Sequence, residues 1–73
     1  MSEKPTVLVA GYFDMMHSGH ICFFEEAAKY GRVIVSLGSD ENSLQSKGKK
    51  PVFSEEERQY MVESIRFVEE ALV

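Results

Sequence analysis

Two apolar runs bracket an amphipathic stretch, and that alternation limits the folds open to this chain. Residues 6–10, Thr6-Val7-Leu8-Val9-Ala10, are apolar and β-branched without interruption, the pattern of a strand covered on both faces. Gly11 closes the run. From Ser18 to Tyr30 the spacing changes. Ile21, Phe24 and Ala28 share one stripe, Phe23 and Ala27 flank it, and Glu25, Glu26 and Lys29 point outward, so a helix with a core face is expected. Gly31 stands where helices commonly stop. Arg32-Val33-Ile34-Val35-Ser36-Leu37 reads as a second strand, ended by Gly38. Strands joined through a helix in this way run parallel, with a right-handed crossover.

The remainder extends the same alternation. Residues 39–53 are polar and read as loop, with three lysines in Lys47-Gly48-Lys49-Lys50 followed by Pro51. Ser54 with Glu57 three positions on is a capping box, and the helix behind it is expected to bury Met61, Val62, Ile65 and Val68. Residues 69–73 offer the start of a third strand. Strand, helix, strand, helix is the signature of an α/β fold with a parallel sheet. In doubly wound sheets the first strand is central, yet these 73 residues supply neighbours for it on one side only. An apolar strand with a bare edge associates or aggregates. The reading is therefore the N-terminal part of a single domain, residues 1–73, truncated before its second half. An assembly that covers the edge is the alternative.

Composition removes several classes. With 44% hydrophobic and 27% charged residues, the chain has the balance of a folded protein. A net charge of −4 argues against a nucleic-acid binder. No apolar run is long enough for a membrane span, and the N-terminus lacks the order of a signal peptide. One cysteine, Cys22, excludes an internal disulfide and fits the cytoplasm. It reads as a small apolar residue against the core, and Phe23 and Phe24 read as core residues.

Both histidines of the chain fall in residues 11–20, GYFDMMHSGH, at the junction of the first strand and the first helix. Loops at the carboxyl ends of parallel strands are where α/β folds bind ligands. The helix beginning near Ser18 offers unpaired N–H groups and a dipole that favour an anion. Gly11 and Gly19 would let backbone approach that anion closely. His17 and His20, three apart, present both rings to one side of the helix mouth. Together they could hold a phosphate and stabilise charge growing on it. The lysine stretch leaves the carboxyl end of the second strand and reaches the same side. Neither G-x-x-x-x-G-K-S/T nor G-x-G-x-x-G follows the first strand, so a phosphate site here relies on histidines and lysines. A metal site from His17, His20 and Cys22 is disfavoured, because Cys22 points about 200° away from His20 on a helix. Asp14 reads as an organiser of the loop. Arg58 pairs with glutamates of its own helix or serves the site, and the sequence leaves both open.

Gly11-Tyr12-Phe13-Asp14 followed by His17-Ser18-Gly19-His20 forms G-x-F-D-x-x-H-x-G-H, which resembles the cytidylyltransferase-like branch of the nucleotidyltransferase superfamily. Ser39-Asp40-Glu41 resembles that family's segment after the second strand. Lys47-Gly48-Lys49-Lys50 resembles its K-x-K-K loop, and Ile65-Arg66-Phe67-Val68-Glu69-Glu70 its I-R-Y-V-D-E stretch. Among its members, glycerol-3-phosphate cytidylyltransferases are nearest in pattern, with choline- and ethanolamine-phosphate cytidylyltransferases behind them.

The resemblance implies a Rossmann-like half-domain. It also implies transfer of a nucleotidyl group from a nucleoside triphosphate, with CTP favoured over ATP, to a phosphorylated alcohol or sugar, releasing pyrophosphate. His17, His20 and Lys47 would be catalytic. Gly11, Tyr12, Phe13 and Gly19 would line the nucleotide with the two histidines. Asp14, Lys47 and Lys49 would lie at the phosphate or substrate, and Mg²⁺ would accompany the triphosphate. Arg66 and Glu69 would sit at the interface of a homodimer or larger self-association. Three features depart from the family. Tyr12 stands where a threonine or small residue is common, Glu69 replaces an aspartate, and the late R-T-x-G-I/V-S-S/T-T motif is absent. The alternatives are an adenylyltransferase of the same superfamily using ATP, and a phosphate-binding module that self-associates without turnover.

Overall fold

The computed structural model describes residues 5–73. The N-terminal residues 1–4, which entered the signal-peptide reading, lie outside them. Six elements follow in order: β1 (Thr6–Gly11), α1 (Ser18–Ala28), β2 (Arg32–Leu37), α2 (Asp40–Lys47), α3 (Glu55–Glu63) and β3 (Glu70–Leu72). The three strands form one parallel sheet in the order β1-β2-β3, with Leu8 opposite Ile34 and Val35 opposite Ala71. The α/β architecture and the third strand are as the sequence implied.

The core lies on one face of this sheet. Val9, Val33, Val35, Leu37 and Ala71 meet Phe24 of α1 and Val62 of α3, all buried. Right-handed crossovers to successive parallel strands place both helices on the same side. The other face carries Leu8, 70% exposed, and Leu72, 48% exposed. The expectation that β1 is covered on both faces is therefore corrected: the described residues supply one helical layer. The outer edge of β1 pairs with no strand among them.

Helix α1 buries a narrower stripe than its apolar content suggests. Phe24 is fully buried, whereas Phe23 is half exposed and Cys22 is exposed, so neither is a core residue. The helix ends at Ala28 with Lys29 as a right-handed cap, and Gly31 does not take the left-handed C-cap conformation. Gly31 is required for space. A Cβ there would lie 2.1 Å from the carbonyl oxygen of Pro5, which accepts the Arg32 N–H at 2.8 Å.

Residues 39–53, read as loop, contain α2. No apolar stripe marks it, and its one large apolar residue, Leu44, is 45% exposed. It is held by its ends. Ser39 Oγ accepts the Asn42 N–H, Asp40 and Glu41 fill the first turn, and Gly48 closes it in the left-handed conformation at φ 79°, its N–H on Leu44 O. Helix α3 starts where expected, with Ser54 Oγ accepting the Glu57 N–H, but the Glu57 carboxylate does not return to the Ser54 N–H, so half of the capping box forms. It stops at Glu63, so Ile65 and Val68 reach the core from the turn that follows. Met61 is only half-buried.

Candidate active site

Beyond β1 the chain makes a tight loop in which Phe13 and Met15 both adopt φ 52°, left-handed values that non-glycine residues seldom take. The loop delivers His17 as the N-cap of α1. His17 Nδ1 accepts the Gly19 N–H, and His20 Nδ1 accepts the His17 N–H, each at 3.0 Å. The ring centroids are 4.3 Å apart. With both Nδ1 atoms acting as acceptors, each neutral ring keeps its proton on Nε2. Neither Nε2 hydrogen-bonds among the described residues. The helix mouth therefore presents two imidazole N–H donors, while the Gly19 amide is already taken.

The glycines serve the rings. A Cβ on Gly19 would stand 2.7 Å from His17 Cε1, and one on Gly11 would stand 2.9 Å from Phe13 Cε2. Phe13 in turn packs edge-on against His20 at 5.9 Å and against Phe24 at 5.1 Å, tying the histidines to the core.

A buried arginine holds the rest together. Arg58 has no solvent exposure. Its Nη1 donates to Tyr12 O at 2.9 Å and Gly38 O at 2.8 Å, its Nε to Phe53 O at 3.0 Å, and its Nη2 to Asp40 Oδ1 at 2.7 Å. It thus joins the ends of β1 and β2 to the start of α3, and it does not pair with glutamates of its own helix. Asp40 and Glu55 close the arrangement reciprocally, each carboxylate accepting the other's backbone N–H. Asp14 accepts Val52 N–H at 2.7 Å and Phe53 N–H at 3.0 Å.

These contacts shift the two aspartates. Desolvation pushes the Asp14 carboxyl up, but the Phe53 and Val52 amides and the Arg58 charge outweigh it and hold it below its ordinary range. The Arg58 hydrogen bond lowers Asp40, against a smaller desolvation effect. An acid with a depressed folded pKa stabilises the fold above its unfolded pKa and loses that contribution as pH falls through the folded value. Stability should therefore be flat above the usual carboxylate range and decline steadily below it. Urea midpoints measured from pH 7 to pH 3 check this, and Asp14→Asn should flatten the acid limb.

The lysines divide between helix and loop. Lys47 ends α2, with Nζ 4.1 Å from the centroid of the Tyr12 ring. Lys49 and Lys50 follow Gly48, and the buried Ser43 fixes their segment by donating from Oγ to Lys49 O at 2.9 Å. A cavity of about 280 Å³ lies between this segment and the histidine loop, lined by Tyr12, Asp14, Lys47, Lys49 and Lys50 among others. A more open cavity of about 550 Å³ lies past the carboxyl ends of β1 and β2, lined by Gly11, Tyr12, Ser36, Gly38 and Asn42 among others. The histidines line neither, although Asp14 and Met15 of their loop line the first. Arg66 and Glu69 lie at the opposite end of the sheet, beside Arg32. Among the described residues, no three His, Cys, Asp or Glu side chains are placed to hold a metal ion. No helix among them is long and apolar enough to cross a membrane.

Sequence reasoning missed the clamp formed by Arg58 and Asp40, and the polar residues of α2. The signals were present as helix punctuation: a serine cap, acids in the first turn, and Lys47-Gly48 at the close.

A parallel sheet with its helices packed on one face is a Rossmann-like framework. A solved structure, the lipopolysaccharide core biosynthesis protein of Thermoplasma volcanium, superposes with a TM-score of 0.82 at 31% identity, covering 92% of this chain and 55% of that one. The model of the cytidylyltransferase-like family matches residues 8–73, and the chain belongs to that family. Its curated relatives include FAD synthases. That of Picrophilus torridus is 36% identical over 67 residues, covering 92% of this chain and 48% of its own length. That of Ferroglobus placidus is 39% identical over 67 residues, covering 92% of this chain and 43% of its own length. The chain spans about half the length of the curated relatives it matches. These relatives bear the name of an FAD-forming enzyme, where the sequence pattern had put glycerol-3-phosphate cytidylyltransferases first.

Proposed function

We propose that this chain carries the histidine half of a site for nucleotidyl transfer from a nucleoside triphosphate to a phosphorylated alcohol or sugar. One observation carries the reading. His17 and His20 stand ring to ring with their Nδ1 atoms spent on the helix start and their Nε2–H groups open. In the reaction a phosphate oxygen of the acceptor attacks the α-phosphorus. The bond from that phosphorus to the bridging oxygen breaks, and pyrophosphate leaves with the bonding electrons. The two Nε2–H groups donate to the α-phosphate oxygens as negative charge accumulates there.

Lys47 and Lys49 meet phosphate groups of nucleotide or acceptor, and the backbone of Gly11, Tyr12 and Phe13 lines the rest of the nucleotide. Asp14, with its oxygens on Val52 and Phe53, shapes the loop and leaves the phosphates to the lysines. Mg²⁺ enters with the triphosphate as part of the substrate, held through its oxygens.

ATP is the donor favoured here, because relatives at 34–39% identity are named FAD synthase and FAD carries an adenylyl group. CTP is the second reading, favoured by the description of the family and by the sequence pattern. The test is pyrophosphate release with ATP and with CTP, each against riboflavin 5′-phosphate and glycerol 3-phosphate. It is run in a protein that carries these residues at the full length of the relatives. Release that requires both a triphosphate and a phosphorylated acceptor is expected, with ATP the better donor. No release with any pair, or release independent of acceptor, overturns the reading. The 73-residue chain alone is expected to turn over negligibly.

A further inference from the structure

Tyr12 follows β1 directly, and the structure gives its ring many partners. The ring lies against Gly38, where a Cβ would stand 2.2 Å from Tyr12 Cε1. Its carbonyl accepts from the buried Arg58. Its hydroxyl accepts from Asn42 Nδ2 at 2.8 Å and lies 3.3 Å from Ser46 Oγ. One turn of α2 thus supplies two polar contacts to the ring's tip, and the next residue, Lys47, sets its ammonium over the ring face at 4.1 Å. Lys47 forms no ion pair among the described residues, so the aromatic face is the contact that fixes its head. Tyr12 also lines both cavities. On one side lie Lys47, Lys49 and Lys50 with Asp14 as the single acid, its oxygens bonded to the Val52 and Phe53 amides; on the other, the lining has no charged side chain.

We propose that Tyr12 is a positioning residue: it holds Lys47 at the wall of the lysine-lined cavity and separates that cavity from the uncharged one, so that phosphate groups are received on the lysine side. The inference rests on the nucleotidyl-transfer reading for its biological substrate, a phosphate-bearing one, but its test does not depend on turnover. A lysine head held on a ring face enters binding with part of its side-chain freedom already lost. It also keeps its charge, since the π face attracts a cation without neutralising it.

The experiment uses the 73-residue chain with inorganic pyrophosphate as the probe, read by titration calorimetry and by NMR of the lysine ε-methylene protons. In the unaltered chain the Lys47 ε-protons should lie upfield of those of Lys49 and Lys50, shielded by the ring. Tyr12→Leu should abolish that shift and weaken pyrophosphate binding about two- to tenfold, the cost of ordering one freed lysine side chain on binding. Tyr12→Phe keeps the ring and should retain the shift. Lys47→Met should weaken binding, and adding Tyr12→Leu to it should cause no further loss, because the tyrosine acts through the lysine. Equal losses from Tyr12→Leu with and without Lys47, or Lys47 protons coincident with those of Lys49 and Lys50, overturn the proposal. So does the absence of pyrophosphate binding at millimolar concentration. The proton shift is read in the unaltered chain and stands even if a variant fails to fold. Failure of pyrophosphate release in the full-length protein would overturn the transfer reading and leave the Tyr12–Lys47 result intact.

Discussion

Arg58→Met should unfold the chain at room temperature, or leave it with most of its stability gone. The guanidinium is wholly buried and makes four hydrogen bonds, three to backbone carbonyls and one to Asp40. Methionine fills similar volume but strands those carbonyls and leaves the Asp40 carboxylate without its cation. Asp40 is 25% exposed and can take up water, but each stranded buried carbonyl costs about 1–3 kcal/mol, so three of them cost at least about 3 kcal/mol. A core in a chain this short supplies about the same amount. Lysine cannot substitute, since a single ammonium does not reach Tyr12 O, Gly38 O, Phe53 O and Asp40 together as a planar fork does. Arg58→Lys should therefore be nearly as damaging. The exposed Arg66 is the control, and Arg66→Met should stay within about 0.5 kcal/mol of the unaltered chain. Urea unfolding followed by circular dichroism measures all three. A folded Arg58→Met chain with an unchanged midpoint would show that the clamp contributes nothing.

His17→Asn should separate the histidine's two duties. As N-cap, His17 accepts the Gly19 N–H through Nδ1. Asparagine is among the best N-cap residues and should take over that bond, keeping stability within a few tenths of a kcal/mol. It cannot place a donor where the imidazole Nε2–H stands. Pyrophosphate release in the full-length protein should then fall by about 10²- to 10³-fold, the usual effect of losing one preorganised donor to a charged transition state. His17→Ala loses both functions and should also cost about 1 kcal/mol of stability. Turnover surviving in a folded His17→Asn protein would remove His17 from the chemistry.

Much of this was legible in the residues, for definite reasons. Strands β1 and β2 announce themselves because β-branched runs closed by a glycine have few other uses. The histidine pair could be placed because three-residue spacing at a helix start is geometrically restrictive. Helix α2 was not legible by periodicity, since it buries almost nothing apolar; its stability resides in capping and in Asn42, Ser43 and Ser46 bonding outward. Arg58 was ambiguous because an arginine beside three glutamates on one helix has local partners on paper. Only the fold shows that it points inward, toward carbonyls up to 46 positions away. The exposure of Leu8 was hidden for the opposite reason: its neighbours specify a covered strand, while the cover is absent from the described residues.

The separation of the clamp's partners along the chain also bears on the order of assembly. Asp14 meets Val52 and Phe53 across 38 and 39 positions, and Arg58 meets Tyr12 across 46. Spans of that length close at a greater entropic cost than the local contacts that form α1. Once closed, the Asp14 contacts fix Val52 at the wall of the lysine-lined cavity. The wall is therefore made by residues from opposite halves of the chain, and nothing local to either half can hold it in place.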